Sequence, residues 1–197
     1  MTETSTRERL IEVGVRLMHK HGYTATGLKE ILDLAGVPKG SFYHHFGSKE
    51  EFAAAALNRY FMREGEHCDA VLNDSRIAPL KRLHRYFNDL IKMYGQKGDV
   101  PGCMIGRFSL EVPELTLMMQ EHLSASFKGW QHGIATALRD AIKQKSLPAN
   151  TDPEELAAFL LNSWQGALVR SQADKSDAPL HNFIHYAFSS LLKDSSR

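Results

Sequence analysis

The chain has 197 residues, of which 43% are hydrophobic, and its 24 basic and 23 acidic side chains leave a formal charge of +1. A chain of this size can bury enough apolar surface to fold without disulfides, as one domain or as a small domain joined to a larger one. Two cysteines are too few for a disulfide framework, and no N-terminal apolar stretch resembles a signal peptide or a membrane span; we therefore expect a cytoplasmic protein without a membrane partner.

Two amphipathic helices are predicted near the N-terminus. Apolar residues at helical spacing indicate a first helix over Ser5–His21. A second apolar face indicates a short helix over Leu28–Ala35. Thr26 or Gly27 opens this helix, and Gly36 stops it because glycine tolerates the left-handed backbone conformation.

A third short helix follows the turn at Gly36. Pro38 fits its first position, where the missing N–H costs nothing, and the helix continues over Lys39–His45. Two short helices joined by a turn that contains glycine predict a helix-turn-helix. Ser48 and Glu51 have the spacing of a capping box, which predicts the start of a long fourth helix.

Apolar helical patterning continues through the rest of the chain, and no alternating pattern typical of a strand is present. Prolines lie at the joints between the predicted segments, which are Leu80–Tyr94, Cys103–Glu111, Leu115–Lys145, Pro153–Asp174 and Leu180–Leu192. The sequence therefore predicts an all-α fold, with a three-helix domain over residues 1–48 and a larger helical domain over residues 49–197.

The interval between Asp33 and Glu50 contains no carboxylate but several basic and polar side chains. Within it, Val37, Phe42 and Phe46 have helical spacing and should pack inward. The remaining side chains should face outward: Lys39, Gly40, Ser41, Tyr43, His44 and His45. A local basic surface without acids is typical of a site that binds phosphates, whatever the net charge of the chain.

The residues on this outward side suit duplex DNA. Lys39 and Ser41 lie at the N-terminal end of the predicted recognition helix, where the helix dipole favours phosphate and side chains reach base edges in the major groove. Gly40 permits a close approach of the backbone. Tyr43 and His44 offer hydrogen bonds to phosphate, and Tyr43 also offers an apolar edge to a thymine methyl group.

Other functions explain the same residues less well. An ordinary helical bundle would use Tyr43 as core, but it would leave the acid-free interval unexplained. His44 and His45 face different directions on a helix, and no cysteine or acid is spaced to complete a metal site. His181 and His185 lie one turn apart, but without the glutamate of zinc hydrolase helices they are more typical of packing. Since no Ser-His-Asp order or glycine-rich phosphate loop is present, we expect no enzyme activity, metal or cofactor.

The N-terminal motifs resemble those of a known family. Thr26-Gly27-Leu28, Ala35-Gly36-Val37, the run Lys39–Phe46 and Ser48-Lys49 are similar to the DNA-binding domain of the TetR (tetracycline repressor) family, over about residues 9–52. The resemblance implies a homodimeric transcriptional regulator, usually a repressor, that presents two recognition helices to a palindromic operator in double-stranded DNA. The residues expected to contact DNA are Thr26, Gly27, Lys39, Gly40, Ser41, Tyr43, His44 and Lys49.

The resemblance also implies a C-terminal body that binds a small-molecule effector and ends in two dimerisation helices, here Pro153–Ala173 and Leu180–Leu192. Gly102–Glu111 and the Trp164–Ala167 motif with Arg170 are similar to a subgroup that includes the repressors of N-ethylmaleimide reductase and of acrylate utilisation, which respond to reactive electrophiles or small unsaturated acids. The residues expected to bind or sense the effector are Cys103, Met104, Arg107, Phe108, Trp130, Trp164, Gln165 and Arg170.

Cys103 is the candidate sensor. At the start of its predicted helix, the helix dipole would favour a thiolate that reacts with an electrophile or oxidant. A small buried hydrophobic residue is the alternative, as plain core is for the aromatic residues. In the resembling subgroup a lysine helps to trap the oxidised cysteine, but the corresponding position here is Gln172, with Lys175 three residues later. Alkylation and reversible ligand binding therefore stay open, as does a DNA-binding dimer without any effector.

Overall fold

The computed structural model describes residues 5–97, 102–111 and 116–192, and every regular element in these ranges is helical. The elements in chain order are α1 (Thr6–His21), α2 (Leu28–Ala35), α3 (Lys39–His45), α4 (Lys49–Leu72), α5 (Pro79–Tyr94), α6 (Met104–Leu110), α7 (Leu117–Lys143), α8 (Pro153–Asp174) and α9 (Ala178–Tyr186), followed by a π-helical turn over Ala187–Leu191. The all-α prediction is confirmed. The last predicted helix differs, because α9 ends at Tyr186 and the chain continues as the π-helical turn.

Capping residues account for how the first two helices begin and end. The Ser5 hydroxyl oxygen accepts a hydrogen bond from the Glu8 backbone N–H at 3.2 Å and caps α1. Gly36 has φ 62° and ψ 39°, the left-handed conformation predicted for the end of α2. Its N–H donates to the Asp33 carbonyl at 3.3 Å. A side chain at position 36 would strain this turn, which sets the direction in which α3 leaves α2.

The starts of α3 and α4 differ in detail from the prediction. Pro38 is the residue before α3, with ψ 150°, and its carbonyl accepts from the Ser41 N–H at 2.9 Å. The fixed φ of proline suits this extended capping position as well as the first helical one. Ser48 Oγ accepts from the Glu51 N–H at 3.0 Å as predicted, but the Glu51 carboxylate accepts from the Gly47 N–H, at 2.8 Å, rather than from that of Ser48. These two bonds fix the start of α4.

Among the described residues, contacts divide the chain into two units. The first consists of residues 5–63, 104–111 and 116–126, and the second of residues 64–97, 102–103 and 127–192. Helices α4 and α7 therefore contribute to both units, and α6 belongs to the first although it follows α5 in the chain. The boundary predicted after Ser48 falls inside the first unit.

The core of the first unit contains a cluster of phenylalanines. Phe42 of α3 is 0% exposed, and its ring centroid lies 5.4 Å from those of both Phe46 and Phe52. Gly14 of α1 faces the Phe52 ring so closely that a Cβ at this position would collide with it. Dense packing of this kind fixes the inner side of α3 and thereby orients its outer side.

The second unit has an aromatic core and a buried cation. Three rings pack with their centroids 4.9 to 5.5 Å apart: Phe87, Trp164 and Phe183. Arg82 of α5 is 3% exposed. Its Nη1 donates to the Leu72 carbonyl at 2.6 Å and its Nη2 to the Asp140 carboxylate at 3.0 Å. The guanidinium therefore connects α5 to the end of α4 and to α7.

Candidate DNA-binding surface and effector site

The two sides of α3 differ in burial as the spacing predicts. Val37, Phe42 and Phe46 are 5%, 0% and 2% exposed, so the inner side is core. On the outer side Tyr43 is 51% exposed. The other outward residues are exposed or half-buried: Lys39, Gly40, Ser41, His44 and His45. A basic and polar helix face is thus presented to solvent on a rigid support.

A groove of about 440 Å³ runs between α2 and the start of α3. Its lining includes Lys29, Asp33 and Lys39, together with apolar side chains of α2 and of the turn that precedes α3. Lys29 Nζ donates to Asp33 Oδ2 at 2.8 Å. Neither Lys29 nor Asp33 belongs to the set predicted from the sequence, although their spacing of four residues on a helix is typical of an ion pair.

Two residues predicted to contact DNA have partners inside the first unit. Thr26 is 0% exposed, and its hydroxyl donates to the Gly22 carbonyl at 2.6 Å. Lys49 Nζ donates to the Tyr23 carbonyl at 2.7 Å and lies 4.5 Å from the centroid of the Tyr23 ring. Burial lowers the pKa of Lys49, whereas the charge of Glu111 acts in the opposite direction. Both side chains therefore hold the connection between α1 and α2.

Glu111, directly after α6, binds the same connection. Its two carboxylate oxygens accept from the backbone N–H groups of Tyr23, at 3.1 Å, and Thr24, at 2.6 Å, which lie 88 and 87 positions away in the chain. Gly22 has φ 85°, and a Cβ there would collide with the Glu111 carboxylate. Burial, followed by the charges of Glu50 and Glu111, raises the pKa of Tyr23. Sequence reasoning missed this contact because no local pattern pairs positions so far apart.

Three of the predicted effector residues lie on α6, within the first unit. Met104 and Phe108 are both 0% exposed, and the Phe108 ring contacts Tyr23 edge to face with centroids 6.1 Å apart. Arg107 Nη1 donates to the Lys20 carbonyl at 3.1 Å. Helix α6 is therefore attached to α1 and to the α1–α2 connection by a hydrogen bond, an aromatic contact and the adjoining Glu111 carboxylate.

The other predicted effector residues lie in the second unit: Cys103, Trp130, Trp164, Gln165 and Arg170. Cys103 is 6% exposed and immediately precedes α6. Trp130 and Trp164 are 9% and 0% exposed. Arg170 differs from these buried residues, because its side chain is 70% exposed and its Nε donates to Asp174 at 2.8 Å.

Helix α8 carries buried polar atoms that have no hydrogen-bond partner among the described residues. They are Nε1 of Trp164 and Nε2 of both Gln165 and Gln172. The two glutamines are seven positions apart, so they lie on one side of the helix, two turns from each other. Because an unsatisfied buried polar group costs about 1–3 kcal/mol, such atoms are rare without a reason. Ordered water or a bound molecule with hydrogen-bonding groups would satisfy them.

The two cysteines are thiols, and Cys68 is an unreactive one. It is 7% exposed, and burial raises the pKa of its thiol to about 11, although a hydrogen bond with Tyr86 opposes this shift. At physiological pH it is therefore protonated, and a protonated thiol is a poor nucleophile. This leaves Cys103 as the candidate for thiol chemistry.

An apolar groove of about 440 Å³ opens on the α8–α9 face of the second unit. Phe159, Phe183, Tyr186 and Leu191 contribute to its lining. Phe159 and Tyr186 are 58% and 65% exposed, which is unusual for such large side chains. Exposed apolar surface of this kind is typical of a protein–protein interface.

A metal site and a membrane span find no support in the part of the chain that the structure describes. There, no three His, Cys, Asp or Glu side chains are placed to hold a metal ion. None of the helices within it is both long and apolar enough to cross a bilayer.

Comparison with known proteins identifies the family. Residues 10–61 match the family model of bacterial regulatory proteins of the tetR family, and residues 79–187 match that of the tetracyclin repressor-like C-terminal domain. The two models thus cover the helix-turn-helix and most of the C-terminal part.

Full-length relatives agree with these models. The transcriptional repressor DhaR of Mycobacterium sp. (strain GP1) is 33% identical over 98% of this chain and 95% of its own. NemR of Escherichia coli (strain K12) is 32% identical over 93% and 92%, and AcuR of Cereibacter sphaeroides is 32% identical over 89% and 80%. The crystal structure of reduced E. coli NemR has a TM-score of 0.87 at 30% identity and covers 93% of this chain and 95% of its own. With its helix-turn-helix and its helical C-terminal part, the chain belongs to the tetR family of bacterial regulatory proteins.

Proposed function

We propose that the protein is a homodimeric transcriptional repressor that binds palindromic operator DNA and is released by a small effector. The observation that carries the proposal is the outer side of α3, which is basic and polar, without carboxylates, and supported by the Phe42 cluster. In a helix-turn-helix this helix enters the major groove with its N-terminal residues at the base edges. The relatives DhaR and NemR are repressors. We propose no enzyme activity for the protein. Its proposed location is the cytoplasm.

Operator recognition is assigned to residues 1–48, and the direct contacts come mainly from α3: Lys39, Gly40, Ser41, Tyr43 and His44. Gly27, exposed at the start of α2, adds a close approach of the backbone. Thr26 and Lys49 act indirectly, since their side chains hold the α1–α2 connection. Base contacts then specify the operator, and phosphate contacts position the protein on it.

Dimerisation is assigned to α8 and α9, in the C-terminal part over residues 49–197. The exposed Phe159 and Tyr186 make this face self-complementary in chemistry, because an apolar surface is best covered by another apolar surface. A helix-turn-helix dimer reads two half-sites about 34–36 Å apart. A change in the separation of the two α3 helices therefore weakens both contacts together.

Effector sensing is assigned to Cys103 and effector binding to buried residues of the second unit, among them Trp130 and Trp164. Cys103 is the last residue before α6, and α6 leads directly to Glu111, which binds the Tyr23 and Thr24 N–H groups. A change at Cys103 therefore reaches the helix-turn-helix through one short helix. An effector can act only through different affinities for the DNA-bound and released states.

The operator assignment predicts the effect of Lys39→Ala. The variant should bind operator DNA about 1–3 kcal/mol more weakly, because it loses a contact at the base edges. Mobility shift against DNA upstream of the protein's own gene measures this loss. Lys81→Ala, which removes an equal charge from the exposed side of α5, should bind as the wild type does. If the wild type gives no sequence-specific, salt-sensitive shift, the repressor proposal is wrong; if Lys39→Ala binds normally, another face contacts DNA.

The sensing assignment predicts that N-ethylmaleimide releases the protein from its operator through Cys103. The thiolate adds to the maleimide double bond, and a proton is taken up at the neighbouring carbon, so no oxidant is needed. Wild type and Cys68→Ser should gain one adduct at Cys103 by mass spectrometry and lose operator binding. Cys103→Ser should gain none and stay bound.

Equal release of wild type and Cys103→Ser would remove the thiol mechanism and favour reversible ligand binding. In that case the indole N–H of Trp164, which has no acceptor among the described residues, is the proposed donor to the effector. Trp164→Phe keeps the ring and removes this donor. Its response to a small unsaturated acid such as acrylate should then be weaker than that of the wild type.

A further inference from the structure

Lys29 and Asp33 form an ion pair on the exposed side of α2. Lys29 Nζ lies 2.8 Å from Asp33 Oδ2, one helical turn away, and the side chains are 90% and 62% exposed. The hydrogen bond and the charge of Asp33 raise the pKa of Lys29, so the ammonium group is charged at physiological pH. The pair therefore presents a cation and an anion to solvent at one place.

The groove that contains this pair also contains Lys39, the first residue of α3. In a bound helix-turn-helix, the second helix lies in the major groove while the first crosses the sugar–phosphate backbone. A groove lined by α2 and by the start of α3 therefore lies where the backbone passes. Lys29 has the charge and the exposure of a phosphate contact.

Asp33 opposes that contact. It is the one carboxylate among the residues that line the groove. Electrostatic affinity for DNA comes from counterions released when an uncompensated cation meets a phosphate. A phosphate that approaches Lys29 also approaches Asp33, and the pair has no net charge, so it releases no counterion. Lys39 opens on the same groove without such a compensating partner among the described residues.

We propose that Asp33 sets the sequence-independent part of the DNA affinity by holding Lys29 in an internal ion pair, which keeps Lys29 from the phosphates. This inference rests on the proposed function, since it concerns the same DNA-binding surface. The residues proposed above contribute to DNA affinity, whereas Asp33 lowers it. The consequence is weaker binding to the non-operator DNA that competes for the protein.

The test compares the salt dependence of binding for the full-length protein and Asp33→Asn, with an operator duplex and with a scrambled duplex of equal length. The logarithm of the binding constant is followed against the logarithm of the potassium chloride concentration. Asp33→Asn should steepen this slope by about 1.8 on both duplexes, because each subunit of the proposed dimer neutralises one more phosphate. At about 0.1 M salt, the scrambled duplex should be bound about 60-fold more tightly.

Glu30→Gln is the matched control, because it removes an equal charge from the exposed side of the same helix but outside the groove lining. It should leave the slope close to that of the wild type. Lys29→Gln should also leave the slope unchanged. The double variant with Lys29→Gln and Asp33→Asn should have the slope of the wild type, because the cation that Asp33→Asn releases is absent.

Three results would contradict the proposal in distinguishable ways. If Asp33→Asn and Glu30→Gln have equal slopes, the change in net charge alone explains the steeper slope and the ion pair has no specific role. A slope lowered by about 1.8 in Lys29→Gln would show that Lys29 of each subunit reaches a phosphate despite Asp33. A wild type without salt-dependent binding to either duplex would instead overturn the proposed function and, with it, this inference.

Discussion

Phe42→Ala should destabilise the protein by about 3–5 kcal/mol, because it deletes a fully buried ring and leaves a cavity between Phe46 and Phe52. Single domains are stable by only about 5–15 kcal/mol, so this loss is a large fraction of the total. Because the Phe42 ring supports α3 from its inner side, operator binding should be lost together with stability. Urea denaturation and mobility shift measure the two effects.

Two variants separate folding from DNA contact at this helix. Phe42→Leu keeps most of the buried volume and should cost less than about half of the alanine value. Tyr43→Ala changes the adjacent residue, which is 51% exposed. It should lose operator affinity while the free energy of unfolding changes by less than about 1 kcal/mol. If Phe42→Ala unfolded at the same urea concentration as the wild type, the Phe42 ring would not be the support of α3.

Arg82→Ala should destabilise the second unit by about 3–5 kcal/mol. Removing one partner of a buried ion pair leaves the other uncompensated, and here the Leu72 carbonyl also loses its donor. The Asp140 side chain is 35% exposed, and water reaching this carboxylate should bring the cost towards the lower end of that range. Thermal or urea unfolding followed by far-ultraviolet circular dichroism measures the loss.

Arg85→Ala is the control for this prediction. Arg85 lies on the same helix, but its side chain is 59% exposed and its Nε is 3.8 Å from Asp89. Exposed pairs of this kind contribute about 0–1 kcal/mol. Equal destabilisation by the two substitutions would mean that the burial of Arg82 contributes nothing beyond a surface charge.

Local patterns predict the N-terminal helices and the two sides of α3 well. Glycine at the end of α2 and serine before α4 act on their own neighbours, so the chain alone reveals them. The apolar spacing of Val37, Phe42 and Phe46 likewise predicts which side of α3 is buried. These features depend on residues within about one or two helical turns of each other.

Contacts between distant parts of the chain cannot be predicted from local sequence patterns. Arginine side chains are ordinarily exposed, and the burial of Arg82 is explained by the Leu72 carbonyl and the Asp140 carboxylate, which the sequence does not place beside it. Thr26 and Lys49 fit a DNA-binding motif by sequence, yet their side chains bind Gly22 and Tyr23 in the structure. A pattern assigns residue types to a surface, but the partner that each side chain finds depends on the tertiary fold.

The place of α6 in the first unit bears on how regulators of this kind can be recombined. A hybrid that joins residues 1–48 to a foreign C-terminal part would separate Lys20, Tyr23 and Thr24 from Arg107 and Glu111. The foreign helix would have to supply an equivalent carboxylate for two backbone N–H groups. Exchange of the DNA-reading part is therefore not modular at the helix-turn-helix boundary, and the smallest transferable piece is discontinuous in the chain.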